Sequence, residues 1–432
     1  MRHVVPRSEF VRHVLTLMTG TSLAQVLPIL ASPLLTRLYT PVEFGLLGLF
    51  IALTSVLSIP ASARYEIAIL LPADDDDALN IMALALCLSM ASSMVLVVLA
   101  IALNGPVTRL LHSPAISRWL YLVPVFVLLT GMYQSVNYWF NRKKNYKLLA
   151  ANRVARSVLT VIATIALGLD RSWSGGLILG TVIGQGLATI GFVSRAFVEN
   201  PNWRQVVSRK RMLAMGARYK DFARFSVPAD TVNTATQQLP AMILAPFFST
   251  ATVGQFNLTQ RVLAAPSGLV AVAIGDVFRQ RASEDMNREG NCRAIFVKTM
   301  KTLASLAVAP FAIIALFAPA LFTTIFGPDW NIAGHFAQVL APCYGLGFVA
   351  SILGRTIYVT ERVKEDLIWQ MVLFALALGA LLTGSRLHSA PLAVGLFSAV
   401  YSCMYVIYLV MSYRFSHGRK QPAAGPDGAA EV

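Results

Sequence analysis

Charged side chains are scarce in this chain: 13% of its 432 residues, where a soluble domain carries about 25%. Acids are scarcer than bases, with 21 Asp and Glu against 36 Lys and Arg. That shortage excludes an ordinary soluble surface. Cysteine is nearly absent as well. Cys87, Cys343 and Cys403 lie in apolar stretches and Cys292 in a polar one, and no pair has the spacing of a metal or redox site. They read as inert buried thiols, and no cofactor is expected. Asp74 to Asp77 is the single acidic run. It has two readings, a cation site or negative side chains that complement a helix N-terminus, and the second accounts for it adequately.

Apolar residues fill the space that charge leaves. The chain is 56% hydrophobic, with a mean hydropathy of +0.62. Apolar runs of about 18 residues or more mark spanning helices. Twelve are present, near 14–36, 44–71, 79–103, 119–140, 149–169, 175–195, 225–248, 253–278, 299–326, 335–360, 366–384 and 389–412. The seventh and eighth are the most polar. The first run follows Arg2, Arg7 and Arg12 but has no small-residue cleavage pattern, so it reads as an uncleaved span rather than a signal peptide.

The net charge of +15 could suggest nucleic acid, but its placement points elsewhere. With the N-terminus in the cytoplasm, 28 of the 36 Lys and Arg fall on the cytoplasmic side, as the positive-inside rule requires. Both termini are then cytoplasmic and no nucleic-acid partner is expected. The longest cytoplasmic loop, 196–224, mixes Arg204, Arg209, Lys210, Arg211, Arg218 and Lys220 with Trp203, Met212 and Leu213. A basic segment lying on anionic lipid and a solvated linker both fit that mixture.

Two stretches echo each other 212 residues apart. Gln25, Leu27, Pro28, Thr40, Phe44 and Leu46 recur as Gln237, Leu239, Pro240, Thr252, Phe256 and Leu258. Each copy opens a block of six apolar runs, so both halves enter the membrane in one direction. The expected fold is an all-α membrane protein of about twelve helices in two six-helix lobes, 1–195 and 225–412, related by a parallel repeat. Residues 196–224 link the lobes, and 413–432 form a disordered cytoplasmic tail. At this offset Arg64 corresponds to Asp276, and Arg261 to Leu49.

Polar stripes inside the runs mark the candidate site. A central Arg costs about 2.5–3.5 kcal/mol on insertion scales, so it should face protein or water. Arg64, Arg261 and Arg355 are such residues, and Glu66 is a nearby counter-ion for Arg64, although i and i+2 do not share a helix face. Asn257, Gln260 and Arg261 follow one face, as do Asp230, Asn233 and Gln237 in the preceding run. Asn137 and Tyr138 lie in the fourth run and Gln25 in the first. Such faces either surround a hydrated cavity or hydrogen-bond between helices, and three intramembrane Arg favour the cavity. Arg suits phosphate bidentately, while amides and tyrosines suit sugar hydroxyls and rings. An amphiphile with a phosphorylated head group is the class this chemistry indicates.

Longer motifs carry a family resemblance. They are Pro33-Leu34-Leu35-Thr36-Arg37-Leu38-Tyr39-Thr40-Pro41-Val42-Glu43-Phe44-Gly45, Arg64-Tyr65-Glu66, Asn137-Tyr138-Trp139-Phe140-Asn141-Arg142-Lys143, Gln260-Arg261-Val262-Leu263 and Phe326-Gly327-Pro328-Asp329-Trp330. In this order they resemble the Wzx-type oligosaccharide flippases of O-antigen and other polysaccharide export. Multidrug exporters and lipid II flippases belong to the same superfamily. The resemblance implies a V-shaped pair of lobes around a cationic cavity in the bacterial inner membrane. It implies as substrate an oligosaccharide on undecaprenyl pyrophosphate, with polysaccharide polymerase and chain-length machinery as further partners. Arg64 and Arg261 are then the candidates for the pyrophosphate, and Arg37 is either a release-side contact or an interfacial anchor. Multidrug relatives use a first-span acid for ion coupling, which is absent here; Glu66, Asp230 and Asp276 are the acids that could replace it. Two competing functions remain: a polymerase or ligase of lipid-linked sugars, and a drug exporter. The first lacks a sizeable external loop, and the second fits poorly with three cavity arginines.

Overall fold

The computed structural model describes residues 7–170, 175–360 and 362–417, with side chains left aside at 7–18, 269–273, 276 and 363. Residues 171–174, most of the expected tail and the Asp276 side chain lie outside this description. Among the described residues there is no strand. Twelve helices of at least 20 residues follow one another: α1 (Arg7–Leu38), α2 (Pro41–Ala61), α3 (Asp75–Leu110), α4 (Val123–Arg142), α5 (Tyr146–Leu169), α6 (Gly176–Glu199), α7 (Val227–Phe247), α8 (Thr250–Glu289), α9 (Arg293–Phe326), α10 (Asn331–Leu353), α11 (Val363–Arg386) and α12 (Ala390–Phe415). Among the described residues eight spans are long and apolar enough to cross a membrane, or nine if the 49° bend between Pro114–Leu120 and α4 lies within one span. The polar helices α7 and α8 are not among them. The protein is an all-helical membrane protein. Its outward-facing side chains are apolar (Val98, Ile101, Leu316 and Ile368 are all exposed), which water would penalise and lipid does not.

The packing order repeats. In the first half α1 packs on α5, α5 on α6, α6 on α4, and α4 on both α3 and α2. Six helices later α7 packs on α11, α11 on α12, α12 on α10, and α10 on both α9 and α8. The halves meet where α2 lies against α7 and α8, and where α1 lies against α8 and α9.

Local sequence explains how this seam forms. Thr40 caps α2 in a capping box: its backbone N–H donates to Glu43 Oε2 at 2.9 Å, and the Glu43 N–H donates back to Thr40 Oγ1 at 3.4 Å. Pro41 occupies the first turn, where a missing N–H costs nothing. One turn on, Gly45 lies against the Thr250 carbonyl, and Gly254 of α8 lies against the Pro41 carbonyl. A Cβ at either glycine would stand 1.8 Å from that oxygen. The two helices therefore cross at backbone distance. Phe44 is fully buried and meets Trp330 edge-on at 4.9 Å, and Trp330 Nε1 donates to the Thr36 carbonyl of α1 at 3.3 Å. Two of the family-like motifs, those at Thr36–Gly45 and Phe326–Trp330, thus hold one half against the other.

Several expectations need correction here. The run at 44–71 is not one helix: α2 stops at Ala61, and Ala63 and Arg64 adopt positive φ of 50° and 61° before a short helix, Tyr65–Ala68. The run at 253–278 extends to Glu289. The 196–224 loop contains a helix, Arg209–Arg218, that is docked rather than free. Asn80 of α3 clamps its start, donating to the Val206 carbonyl and accepting from the Ser208 N–H, and Tyr65 donates to the Gly216 carbonyl at 2.8 Å. The acidic run opens α3 as helix polarity suggests, but it also pairs: Asp75 with Arg142 and Lys143, and Asp76 with Arg211 at 3.7 Å. Of the four cysteines, Cys292 and Cys343 are buried, whereas Cys87 and Cys403 are exposed.

Candidate substrate cavity

A cavity of about 780 Å³ opens beside the seam between the halves. Its walls come from α7, α8, α10, α11 and α12 and from Tyr358 after α10, with only Gly48 and Ile51 of α2 from the first half. The polar faces predicted for α7 and α8 line it: Asn233 and Gln237 from α7, and Asn257, Gln260 and Arg261 from α8. Gln237 donates to Asn233 across one helical turn at 3.3 Å. Asn257 fits against Gly48, where a Cβ would stand 2.6 Å from its Nδ2.

Arg261 is the cation of this wall. Its guanidinium carbon lies 5.9 Å from the Phe44 ring centroid, and among the described residues no carboxylate pairs with it. A guanidinium kept in a membrane interior without a counter-ion is expensive unless an anion visits it.

Arg64 is placed differently. It is outside the lining of the cavity, at the end of α2, where its guanidinium reaches Glu66 at 3.3 Å and Asp230 of α7 at 2.7 Å. The positive φ at Ala63 and Arg64 breaks the helix, so the i and i+2 side chains meet after all. Glu66 is 2% exposed and also accepts from Ser62 Oγ at 2.5 Å. Tyr138 of α4 lies within the electrostatic reach of this cluster. The Arg64–Asp230 pair is a bridge from one half to the other.

The remaining candidates scatter. Arg355 begins a short helix, Arg355–Val359, and its guanidinium lies against Gly275 of α8 rather than along the cavity. Gln25 of α1 packs against Gly268. Arg37 is exposed in the last turn of α1, and Asn137 is half-buried in α4. None of these lines the cavity. A second cavity of about 450 Å³ lies by the α4–α5 turn, with Lys143, Lys144 and Lys147 around it. Lys143 is already committed to Asp75, and the others are ordinary turn lysines.

Sequence reasoning missed one whole wall. Asp366, Trp369 and Gln370 of α11 line the cavity together with Phe397, Tyr401, Tyr405 and Tyr408 of α12. Asp366 is 4% exposed and accepts from Tyr408 Oη at 2.8 Å, Gln370 Nε2 at 2.8 Å and Tyr358 Oη at 3.2 Å. The available signal was the spacing Tyr401, Tyr405, Tyr408, which places three hydroxyls on one helix face.

Comparison with known proteins follows the same lines. The sequence profile of the family described as polysaccharide biosynthesis protein matches residues 34–334. No curated protein matches. Among solved structures, the lipid II flippase MurJ in an inward closed conformation superposes with a TM-score of 0.71 at 12% identity, over 92% of this chain and 87% of that one. An inward-facing multidrug resistance MATE family transporter of the MOP superfamily gives 0.63 at 14% identity, over 92% and 94%. The MATE multidrug transporter DinF-BH gives 0.65 at 15%, over 96% of each chain. At these identities the likeness is one of fold.

Proposed function

The chain belongs to the polysaccharide biosynthesis protein family, and on that premise we propose that it is a flippase for a polyprenyl-pyrophosphate-linked oligosaccharide. It carries this lipid from the cytoplasmic to the periplasmic leaflet of a bacterial inner membrane, with both termini cytoplasmic. The observation that supports this reading is Arg261, a guanidinium with no acid partner among the described residues, on the wall of a cavity rich in amides and aromatic rings. Its fork of donors matches the oxygens of a diphosphate, and Asn233, Gln237, Asn257 and Gln260 offer donors and acceptors to sugar hydroxyls. The head group crosses inside the protein while the polyprenyl chain stays in lipid, and no covalent step is required.

The two halves, 1–195 and 225–412, rock about the α1–α2 and α7–α8 seam. Arg64 serves the movement more directly than the substrate: bridged to Glu66 and Asp230, it closes the end of the seam that carries the basic loops. Those loops and the docked Arg209–Arg218 helix face anionic lipid head groups. Glu66 and Asp230 are the ion-coupling candidates because opening this end frees their carboxylates.

The test is a deletion strain complemented with Arg261→Gln. The variant inserts normally, and lipid-linked sugar accumulates in the inner leaflet. Wild-type levels of surface polysaccharide in that strain would remove Arg261 from the mechanism. An unaltered leaflet distribution in the deletion itself would favour a drug exporter or a sugar polymerase.

A further inference from the structure

The wall opposite in chemistry to Arg261 is aromatic. Tyr401, Tyr405 and Tyr408 follow one face of α12, and Trp369 reaches across from α11. Their rings are continuous: Trp369 to Tyr408 is 4.4 Å between centroids, Trp369 to Tyr405 6.2 Å at 29°, and Tyr401 to Tyr405 5.7 Å. The neighbouring helix is cleared to admit them. A Cβ at Gly347 of α10 would stand 2.9 Å from the Tyr405 ring, and one at Gly354 would stand 2.2 Å from the Tyr408 ring.

The polar edges of these rings are held in place. Trp369 Nε1 donates to the Met404 carbonyl at 3.0 Å, which pins the indole and leaves its faces free of that bond. Asp366 takes the Tyr408 and Tyr358 hydroxyls together with Gln370. A ladder of aromatics at helical spacing ordinarily fills a core, but this one borders open space. It joins flat apolar faces to a rim of fixed hydroxyl, amide and carboxylate groups. A pyranose ring has the matching form, with a C–H face to stack and a rim of hydroxyls to hydrogen-bond. A planar organic cation matches less well. Asp366 already accepts three hydrogen bonds, and the Arg261 charge shares the cavity.

We propose that the α11–α12 wall is a saccharide subsite, distinct from the Arg261 anion subsite, on which neutral sugar rings of the cargo stack against Trp369 and Tyr405. This rests on the flippase reading above and divides its cavity into two recognition zones. Arg261 then holds any diphosphate-linked cargo, and the aromatic wall selects for the sugar attached to it.

Two probes separate the zones: lipid-linked oligosaccharide extracted from cells lacking this protein, and undecaprenyl pyrophosphate without sugar. Each is titrated against the purified full-length protein in detergent. Trp369→Leu and Tyr405→Leu keep apolar bulk and remove the ring faces. The ratio of affinities, sugar-bearing over bare lipid, falls by about tenfold in each, the loss expected of an aromatic anchor. Arg261→Gln weakens both probes together. Retained binding of the bare lipid reports that the Leu variants are folded. An unchanged ratio in both Leu variants overturns the subsite while leaving the flippase reading intact. Binding of a planar aromatic dye cation that depends on Trp369 more strongly than the oligosaccharide does also overturns it; a rhodamine is the probe for that arm. If the wild-type protein binds neither lipid, the flippase reading fails and the subsite with it.

Discussion

Arg64 illustrates what a single residue can and cannot announce. Its charge in a membrane sequence signals a constraint, but charge alone does not name the partner. The left-handed turn at Ala63 and Arg64 decides that, by aiming the guanidinium at Glu66 and across the seam at Asp230. Removing it strands Glu66, whose side chain is 3% exposed, with Ser62 as its remaining partner. Arg64→Gln should therefore destabilise the protein by about 3–5 kcal/mol, the usual cost of orphaning a buried charge. Adding Glu66→Gln should restore much of the loss, which melting in detergent would measure. Additive losses in the double variant would mean that the two side chains are not coupled. Cys292 makes a second residue-scale prediction. Burial first, and the Asp285 carboxylate second, push its thiol from 9.0 up to about 11. Since the thiolate is the reactive form and lies on the high-pH side, roughly a thousandth of Cys292 is ionised at pH 8. In a variant that keeps Cys292 and replaces Cys87, Cys343 and Cys403 with Ala, maleimide labelling should be negligible at that pH and should rise on unfolding; prompt labelling of this folded variant would contradict the burial.

Helices are where the sequence is most legible, because long apolar runs have few alternatives. Each of the twelve runs has its helix, and the two polar ones, α7 and α8, supply much of the cavity wall. Register was less legible. The Gln and Pro echo is spaced by 212, yet the helix caps Thr40 and Ser249, and the reciprocal glycines Gly45 and Gly254, are each 209 apart. Three residues is nearly one helical turn, so a chance match one turn out of step still falls near the same face. At the structural offset Arg261 corresponds to Ala52 instead of Leu49, and its charge still has no counterpart in the first half. The tyrosine face of α12 was hidden for a related reason: a span rich in Tyr still reads as apolar, and nothing in it announces Asp366 as the group that binds the Tyr408 hydroxyl. Gly45→Ala and Gly254→Ala should each be costly, since the clashing atom is a backbone oxygen that cannot rotate away. Overpacking of this kind destabilises by about 1–3 kcal/mol. A larger effect than that of Gly379→Ala, whose Cβ meets nothing within 4 Å, would show in paired melting curves.

At the scale of the molecule, the rocking proposed above can be tested at the two ends of the seam. Pairings within each half recur six helices apart, so each half has the same internal framework. The contacts between halves differ at the two ends of the seam. One end has the Arg64–Asp230 bridge, which can break and reform as side chains move. The other has the bare helix crossing at Gly45 and Gly254, which must separate as backbones. Alternating access requires that crossing to open, and a covalent tether across it should stop transport without disturbing either half. Gly48 and Val253 are suitably placed: a Cβ at Gly48 would stand 3.2 Å from Val253 Cγ1, which brings the two Cβ positions near the 3.5–4.5 Å range of a disulfide. In a variant with Gly48→Cys and Val253→Cys, oxidation should abolish export of the lipid-linked sugar and reductant should restore it. Each single variant should respond to neither treatment. If the oxidised, fully cross-linked protein transports at the reduced rate, the halves do not part at this crossing, and the head group must reach the far leaflet by a route that leaves α2 and α8 in contact.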